Sequence, residues 1–285
     1  MLGQIQSTIR AKIFIAFACL VISTAIAVAT EIGEEHLVMG NPSKATIDKT
    51  NDKDFLMRKA EYVLSFNNET GCPNWVSWHL NASWIGNAPR KDRFRPDPDI
   101  PEGWLQVRPK DYDLTGFDQG HMCDSKDRTR DAASNLATFF MTNMVPQAPR
   151  NNEQTWKALE AHCQELAKDH ELYIVAGPAG KGGEGKKGKM EVLSAEHNGK
   201  QIEITVPAVT WKVVLVLPKG RTCPKDATMS STTIAVIMPN DQKLSTNWKE
   251  YIVTIKDVEK LTGYTFFSEI NSENAKAIKT DKYRP

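Results

Sequence analysis

The chain has 285 residues, 40% hydrophobic and 25% charged, ordinary proportions for a globular protein long enough to bury a sizeable core. Its 36 basic and 35 acidic residues nearly cancel, which excludes a broad positive field as the means of holding nucleic acid, so any grip on phosphate has to be local. Five cysteines at spacings that match no structural zinc pattern exclude a zinc-finger scaffold.

Residues 1–29 read as a cleaved export signal. Arg10 and Lys12 precede the apolar run Ile13 to Ile22, and Ala27-Val28-Ala29 offers the small residues that a signal peptidase recognises. The run is shorter than the roughly twenty residues that cross a bilayer. The expectation is a secreted or periplasmic protein with no stable membrane association after cleavage. Removing the segment takes away Arg10 and Lys12 and no acid, leaving 34 basic against 35 acidic residues, a net charge of −1. It also removes Cys19, and for Cys72, Cys123, Cys163 and Cys223 an oxidising compartment predicts one or two disulfides among three possible pairings.

Residues 30–54 form a polar leader, and 55–285 are expected to fold as a single domain. Strands are predicted at Glu61 to Phe66 and at Asn74 to Trp84, where Val76, Trp78, Leu80, Ala82 and Trp84 alternate with smaller or polar residues. Five prolines between residues 86 and 117 predict a long ordered loop carrying the basic cluster Arg90-Lys91-Asp92-Arg93-Phe94-Arg95. A strand is expected from Phe117 to Met122, a charged loop from Ser125 to Asn135 and a second short strand from Phe139 to Met144. Trp156, Leu159, Cys163 and Leu166 then recur at helical spacing, which predicts a helix between Asn152 and His170. Leu172 to Gly177, Gln201 to Val206, Thr210 to Leu217, Thr233 to Met238 and Tyr251 to Ile255 read as further strands. The run Lys181 to Lys189 reads as a solvated loop, and short helices are expected at Asp257 to Leu261 and Asn271 to Ile278. The fold class is α+β, a mixed or antiparallel sheet core with flanking helices.

Two segments stand out for chemistry. Asp118-Gln119-Gly120-His121 sets an acid, a permissive glycine and a histidine side by side, and Asn152, Trp156 and Glu160 follow at intervals of four. This pairing resembles the DNA/RNA non-specific endonucleases, the ββα-metal or His-Me finger family, whose signature is Asp-Arg-Gly-His followed by Asn-x-x-x-Trp-x-x-x-Glu. The likeness covers nearly all of the domain, including Asn74 to Trp78, Asn87 to Arg90, Phe94 to Asp97, Thr210 to Val214 and Leu261 to Tyr264, and is nearest to exported cyanobacterial-type sugar-non-specific nucleases. It implies a ββα-metal catalytic unit within the α+β fold. It also implies an endonuclease that hydrolyses DNA and RNA phosphodiesters without sequence preference, using Mg²⁺ (or Mn²⁺), with a polypeptide nuclease inhibitor as a further kind of partner.

Phosphodiester hydrolysis needs a base for the attacking water, positive charge against the phosphoryl oxygens and help for the leaving oxygen. His121 is the expected general base, against the alternative of a buried structural histidine. Asn152 is the expected direct metal ligand, against a helix cap. Glu160 is expected to act on the metal through water, since an ideal helix would put the two α-carbons about 12 Å apart; the alternative is an exposed glutamate paired with Lys157 or Gln164. Arg90, thirty-one residues before the histidine, stands where the family binds phosphate, with Arg93 or Arg95 as substitutes if the register differs. Asp118 is expected to fix the local strand and loop or an outer water. Gln119 and Gln164 occupy the positions of two family arginines, so they are expected at the substrate with hydrogen bonds in place of charge. A catalytically weakened relative that binds nucleic acid or protein is the alternative function. A thiol hydrolase built on Cys123, two residues from His121, is a third reading.

Overall fold

A computed structural model describes residues 31–284, so the segment 1–29, expected to be an export signal, lies outside the described residues. Strands β1 (Phe55–Arg58), β2 (Val63–Asn67) and β3 (Cys72–Leu80) form an antiparallel meander. Strands β4 (Asp118–His121) and β5 (Met144–Gln147) pair separately, and β6 (His170–Ala179) returns alongside β3. Two small hairpins follow, β7 (Gly183–Gly185) with β8 (Gly188–Met190) and β9 (Val192–His197) with β10 (Lys200–Thr205). The long β11 (Val209–Pro218) and β12 (Thr232–Pro239) and the short β13 (Ile252–Val253) complete the main sheet, a seven-stranded antiparallel array in the order β1-β2-β3-β6-β11-β12-β13. All of residues 81–169 therefore connect two neighbouring strands.

Period-two alternation gives this sheet two apolar faces. Val76, Trp78, Ile174, Val214 and Val236 point to one face, and Trp75, Val175, Trp211, Val213 and Leu215 to the other. The β4–β5 pair covers the first face. It is joined there by α2, which is π-helical over Asn151–Trp156 and continues as an α-helix over Lys157–Leu166, while α1 (Ala132–Ala137) is tied on by the Tyr62 hydroxyl, which donates to the Ala137 carbonyl at 2.8 Å. Helices α3 (Ile255–Thr262) and α4 (Ser272–Thr280) cover the second. Residues 31–54 pack on this framework too: Met39 and Ala45 are buried in the second core, and Ser77 Oγ donates to the His36 carbonyl.

Several elements differ from the sequence expectation. The strand predicted at Phe139 to Met144 starts only at Met144; Phe139 is buried because its ring packs on Phe94 and His121, not because it is in a strand. Ser125 to Asn135 is not all loop but holds a 3₁₀ turn and the start of α1. The lysine-glycine run predicted as loop forms the β7–β8 hairpin, and Ile255 begins α3 instead of ending a strand. There Thr254 Oγ1 accepts from the Asp257 amide and Asp257 Oδ2 accepts from the Thr254 amide, a reciprocal cap worth about 1 kcal/mol. The expected disulfides are absent: Cys72, Cys123 and Cys163 are buried free thiols and Cys223 is an exposed one. Among the described residues no helix is long and apolar enough to cross a membrane.

Candidate active site

The β4–β5 pair and α2 assemble as strand, strand and helix around His121. Gly120 lies against Gln147 so closely that any Cβ there would overlap the Gln147 side chain, and this close approach lets the two strands meet beneath the histidine. The Trp156 indole nitrogen of α2 donates to the His121 carbonyl at 3.3 Å, pinning helix to strand. The His121 ring is held by Phe139 at 4.9 Å and Phe94 at 5.5 Å between centroids. Burial lowers its pKa to about 4, with Arg90 pushing the same way and Asp124 opposing, so the imidazole is neutral at physiological pH. Its Nε2 is sealed without a hydrogen-bond partner, while the residue lines an open cleft of about 730 Å³.

Across the cleft, Asn152 Nδ2 donates to Asp118 Oδ2 at 2.9 Å. That bond fixes the amide with its oxygen turned away from the acid, and Asn152 also lines the cleft. The cap alternative for Asn152 is not what the structure shows, because the helix already includes it and Arg150 occupies the cap position. Burial raises the Asp118 pKa while the Asn152 hydrogen bond pulls it back. In a regular α-helix Asn152 and Glu160 would be roughly 80° apart in azimuth. The wider i→i+5 turns over Asn151–Trp156 wind more slowly and reduce that offset, and both side chains line the same cleft.

Below Glu160 lies a group of buried charges that the sequence reading did not single out. Lys212, in the middle of β11 and 1% exposed, places its Nζ 3.7 Å from Glu160 Oε1 and 4.3 Å from the Trp156 ring centroid. Asp127 accepts from Trp78 Nε1 at 2.9 Å and from Gln164 Nε2 at 2.9 Å, and the same Gln164 nitrogen reaches Asp124 Oδ2 at 2.8 Å. Burial, then Asp124, pushes the Asp127 pKa up to about 6, against the pull of Lys212. The same causes raise the Glu160 carboxyl well above its usual range. Arg128 is fully buried, its guanidinium donating to the carbonyls of Glu61, His79 and Asp127. A lysine interrupting the apolar run of β11 was the available signal for Lys212; Asp127 was hidden in what read as a charged loop, and Asp124 stood just before it.

The remaining predicted residues divide. Arg90 lines the cleft, donates from Nη1 to Ser125 Oγ at 3.0 Å and pairs with Asp92. Arg93 is exposed and outside the cleft lining, while Arg95 is spent on the Leu136 carbonyl and the Phe140 ring. Gln119 and Gln164 both line the cleft, but the protein itself takes up their amide donors, Gln119 on the Pro109 carbonyl at 3.0 Å and Gln164 on the two aspartates. Cys123 is fully buried and its thiol pKa is driven far up by desolvation, which removes it as a nucleophile.

The chain and its fold also match known proteins. Residues 40–273 match the family model of the DNA/RNA non-specific endonucleases. A nuclease of Nostoc sp. (strain PCC 7120) is 42% identical over 92% of this chain and 92% of its own length. Nuclease C1 of Cunninghamella echinulata is 33% identical over 84% of this chain and 89% of its own. In structure, a chain from the crystal structure of the EndoG/EndoGI complex superposes with a TM-score of 0.67 at 24% identity. It covers 87% of this chain and 96% of that one, and shares the fold.

Proposed function

The chain belongs to the DNA/RNA non-specific endonuclease family, and from that premise we propose that the cleft hydrolyses internal phosphodiester bonds of DNA and RNA with a divalent cation, leaving 5′-phosphate ends. The observation that carries this reading is the Asp118–Asn152 hydrogen bond facing a neutral, clamped His121. It presents an amide oxygen to the cleft opposite an imidazole able to accept a proton.

The donor set suits Mg²⁺ or Mn²⁺. Among the described residues no three His, Cys, Asp or Glu side chains gather as a multi-ligand cage, and a hard cation that keeps most of its waters needs few protein oxygens. Asn152 Oδ1 would hold the ion directly and Glu160 through water. Such an ion supplies positive charge against that developing on the phosphoryl oxygens. The chain's own residues do the rest. With Nε2 sealed, His121 takes the proton of the attacking water at Nδ1. Arg90 holds a phosphate oxygen, and Asp118 keeps the Asn152 amide from turning over.

Gln119 and Gln164, where the family carries arginines, favour a second reading of reduced turnover, about tenfold for each lost charge, with a weakened nucleic-acid-binding or protein-binding relative as its extreme. Secretion or periplasmic delivery by residues 1–29, and control by a polypeptide inhibitor as in the EndoG/EndoGI complex, belong to the same proposal. Plasmid nicking by residues 30–285 tests it. Activity should require Mg²⁺ or Mn²⁺, vanish in EDTA and drop about 10²- to 10⁴-fold in His121→Ala with binding retained. Metal-independent nicking, or near-normal turnover in that variant, would overturn it.

A further inference from the structure

The cleft has two unlike sides. Its floor is ionic, with Arg90, His121, Lys126 and Glu160, whereas one wall is the segment 112–119, where Leu114 projects between Tyr112 and Phe117 with the exposed Asp113 beside it. Leu114 is anomalous in two independent ways. It is 86% exposed, the most exposed large hydrophobic among the described residues, and its backbone is left-handed, with φ 59°. A branched side chain disfavours that conformation, which glycine or asparagine adopts readily. Gly116, two residues on, is also left-handed at φ 89°, so the loop had a glycine at hand and still holds a leucine in the costly conformation.

The loop is braced to keep it there. The Thr115 amide and hydroxyl both donate to the Tyr112 carbonyl, at 3.2 and 2.8 Å, and the Phe117 amide donates to Thr115 Oγ1 at 3.2 Å. From the β7–β8 hairpin, the Lys186 amide donates to the Gly116 carbonyl at 2.9 Å. An apolar side chain fixed in water on the wall of a cleft, by a backbone that resists it, marks a contact made with a ligand.

We propose that Leu114 is a wedge that presses into the base stack of the nucleic acid whose scissile phosphate lies over the floor. The inference rests on the nuclease reading and adds to it which part of the substrate the wall meets. A nucleotide carries an anionic phosphate and an apolar base face within one residue, which matches an ionic floor beside an apolar projection. Leucine is among the side chains that insert between base steps, and insertion is easiest where stacking is weak, at pyrimidine–purine steps. An enzyme that reads no bases by hydrogen bonding thereby acquires a preference for deformable steps.

The test is Leu114→Asn, because asparagine keeps the left-handed backbone without the apolar wedge. The variant should melt no lower than wild type. Its KM for duplex DNA should rise about 10-fold more than its KM for bis(p-nitrophenyl) phosphate, a phosphodiester without bases. Sequenced cut sites should show the wild-type bias toward pyrimidine–purine steps flattened. In a non-cutting His121→Ala background, the fluorescence rise of 2-aminopurine in a bound duplex should disappear when Leu114→Asn is added. Cleavage by wild type with the same step distribution and 2-aminopurine signal in Leu114→Asn would overturn the wedge alone, and would point to a polypeptide contact at Leu114. Failure of wild type to cut any nucleic acid would overturn the nuclease reading and the wedge together.

Discussion

The two faces of the main sheet are lined by the same kinds of apolar side chain but differ in what they bury among them. Under α3 and α4 the second face packs Trp211, Val213, Leu215, Ile255, Val258, Phe266 and Ile278, and its buried ionisable side chains sit in close pairs, His79 with Glu171 at 2.7 Å and Lys279 with Glu259 at 2.8 Å. The first face, under the β4–β5 pair and α2, also encloses Lys212, Asp127 and Arg128. Charges taken from water are expensive and rarely add stability over an apolar core of equal volume. The second face matches each of its buried charges with a close partner, whereas beneath the cleft Lys212 stands 3.7 Å from Glu160, an arrangement that speaks of what the floor must hold.

The largest effect that can break this contrast comes from Lys212. Lys212→Met removes the ammonium and leaves Glu160 and Asp127 without their counter-charge, so urea unfolding should show a loss of about 3–5 kcal/mol. Glu160→Gln added to it should recover part of that loss. Ile255→Ala on the second face should cost about 2–5 kcal/mol and simply add to Lys212→Met, within about 0.5 kcal/mol, because the two sites share no partners. Strong coupling between the faces would show that the charged floor is part of the common core.

Next in size is Asp118→Ala. Asp118 is only half-buried, so stability should change little, but the Asn152 amide loses what orients it. The Mg²⁺ concentration needed for half-maximal nicking should rise about 10- to 100-fold, equivalent to about 1.4–2.7 kcal/mol. Thermal unfolding titrated with Mg²⁺ should show the same displacement without reference to activity. An unchanged requirement would place the ion elsewhere.

The smallest effect sharpens the second face. His36 donates from Nε2 to the Ala60 carbonyl at 3.1 Å and accepts at Nδ1 from the His79 amide at 3.2 Å, a neutral tautomer with both nitrogens in use. Burial, followed by the positive charge of Arg128, holds its pKa well below the usual value. The unfolded chain therefore binds the proton first, and stability should fall as pH drops below about 6.5, by about 1.4 kcal/mol per pH unit until the folded-state pKa is reached. Urea melts between pH 7.5 and 5.5 should show this slope in wild type and a shallower one in His36→Gln.

Sequence carried the long central strands and the gathering of His121, Asn152 and Glu160 at one cleft because each rests on local rules. Alternation in β3 and a continuous apolar run in β6 report burial directly, and the intervals of four from Asn152 to Glu160 survive any tertiary context. Where burial arises without regular structure, the same rules mislead. Phe139 is apolar because it clamps His121, and its neighbourhood was read as strand in consequence. The reciprocal cap of α3 was legible as Thr254-x-x-Asp257 but was overridden by the apolar Tyr251 to Ile255. The pattern marked Lys212 only as a lysine in an apolar strand, since what gives it a role is the two carboxylates, Glu160 and Asp127, delivered from elsewhere in the chain. Likewise the left-handed backbone of Leu114 has no signal in a sequence that offers Gly116 nearby.

The placement of the whole catalytic unit between β3 and β6 has a consequence in time. On a ribosome adding about 5–20 residues per second, the strand that must pair with β3 follows it by about 5–20 s, and β11, which brings Lys212, comes later still. Until then the β4–β5 pair and α2 have no sheet to rest on, so Asn152, Glu160 and His121 are not yet gathered over a floor. A nascent chain is thus without an assembled cutting site for most of the interval in which its own message is being read.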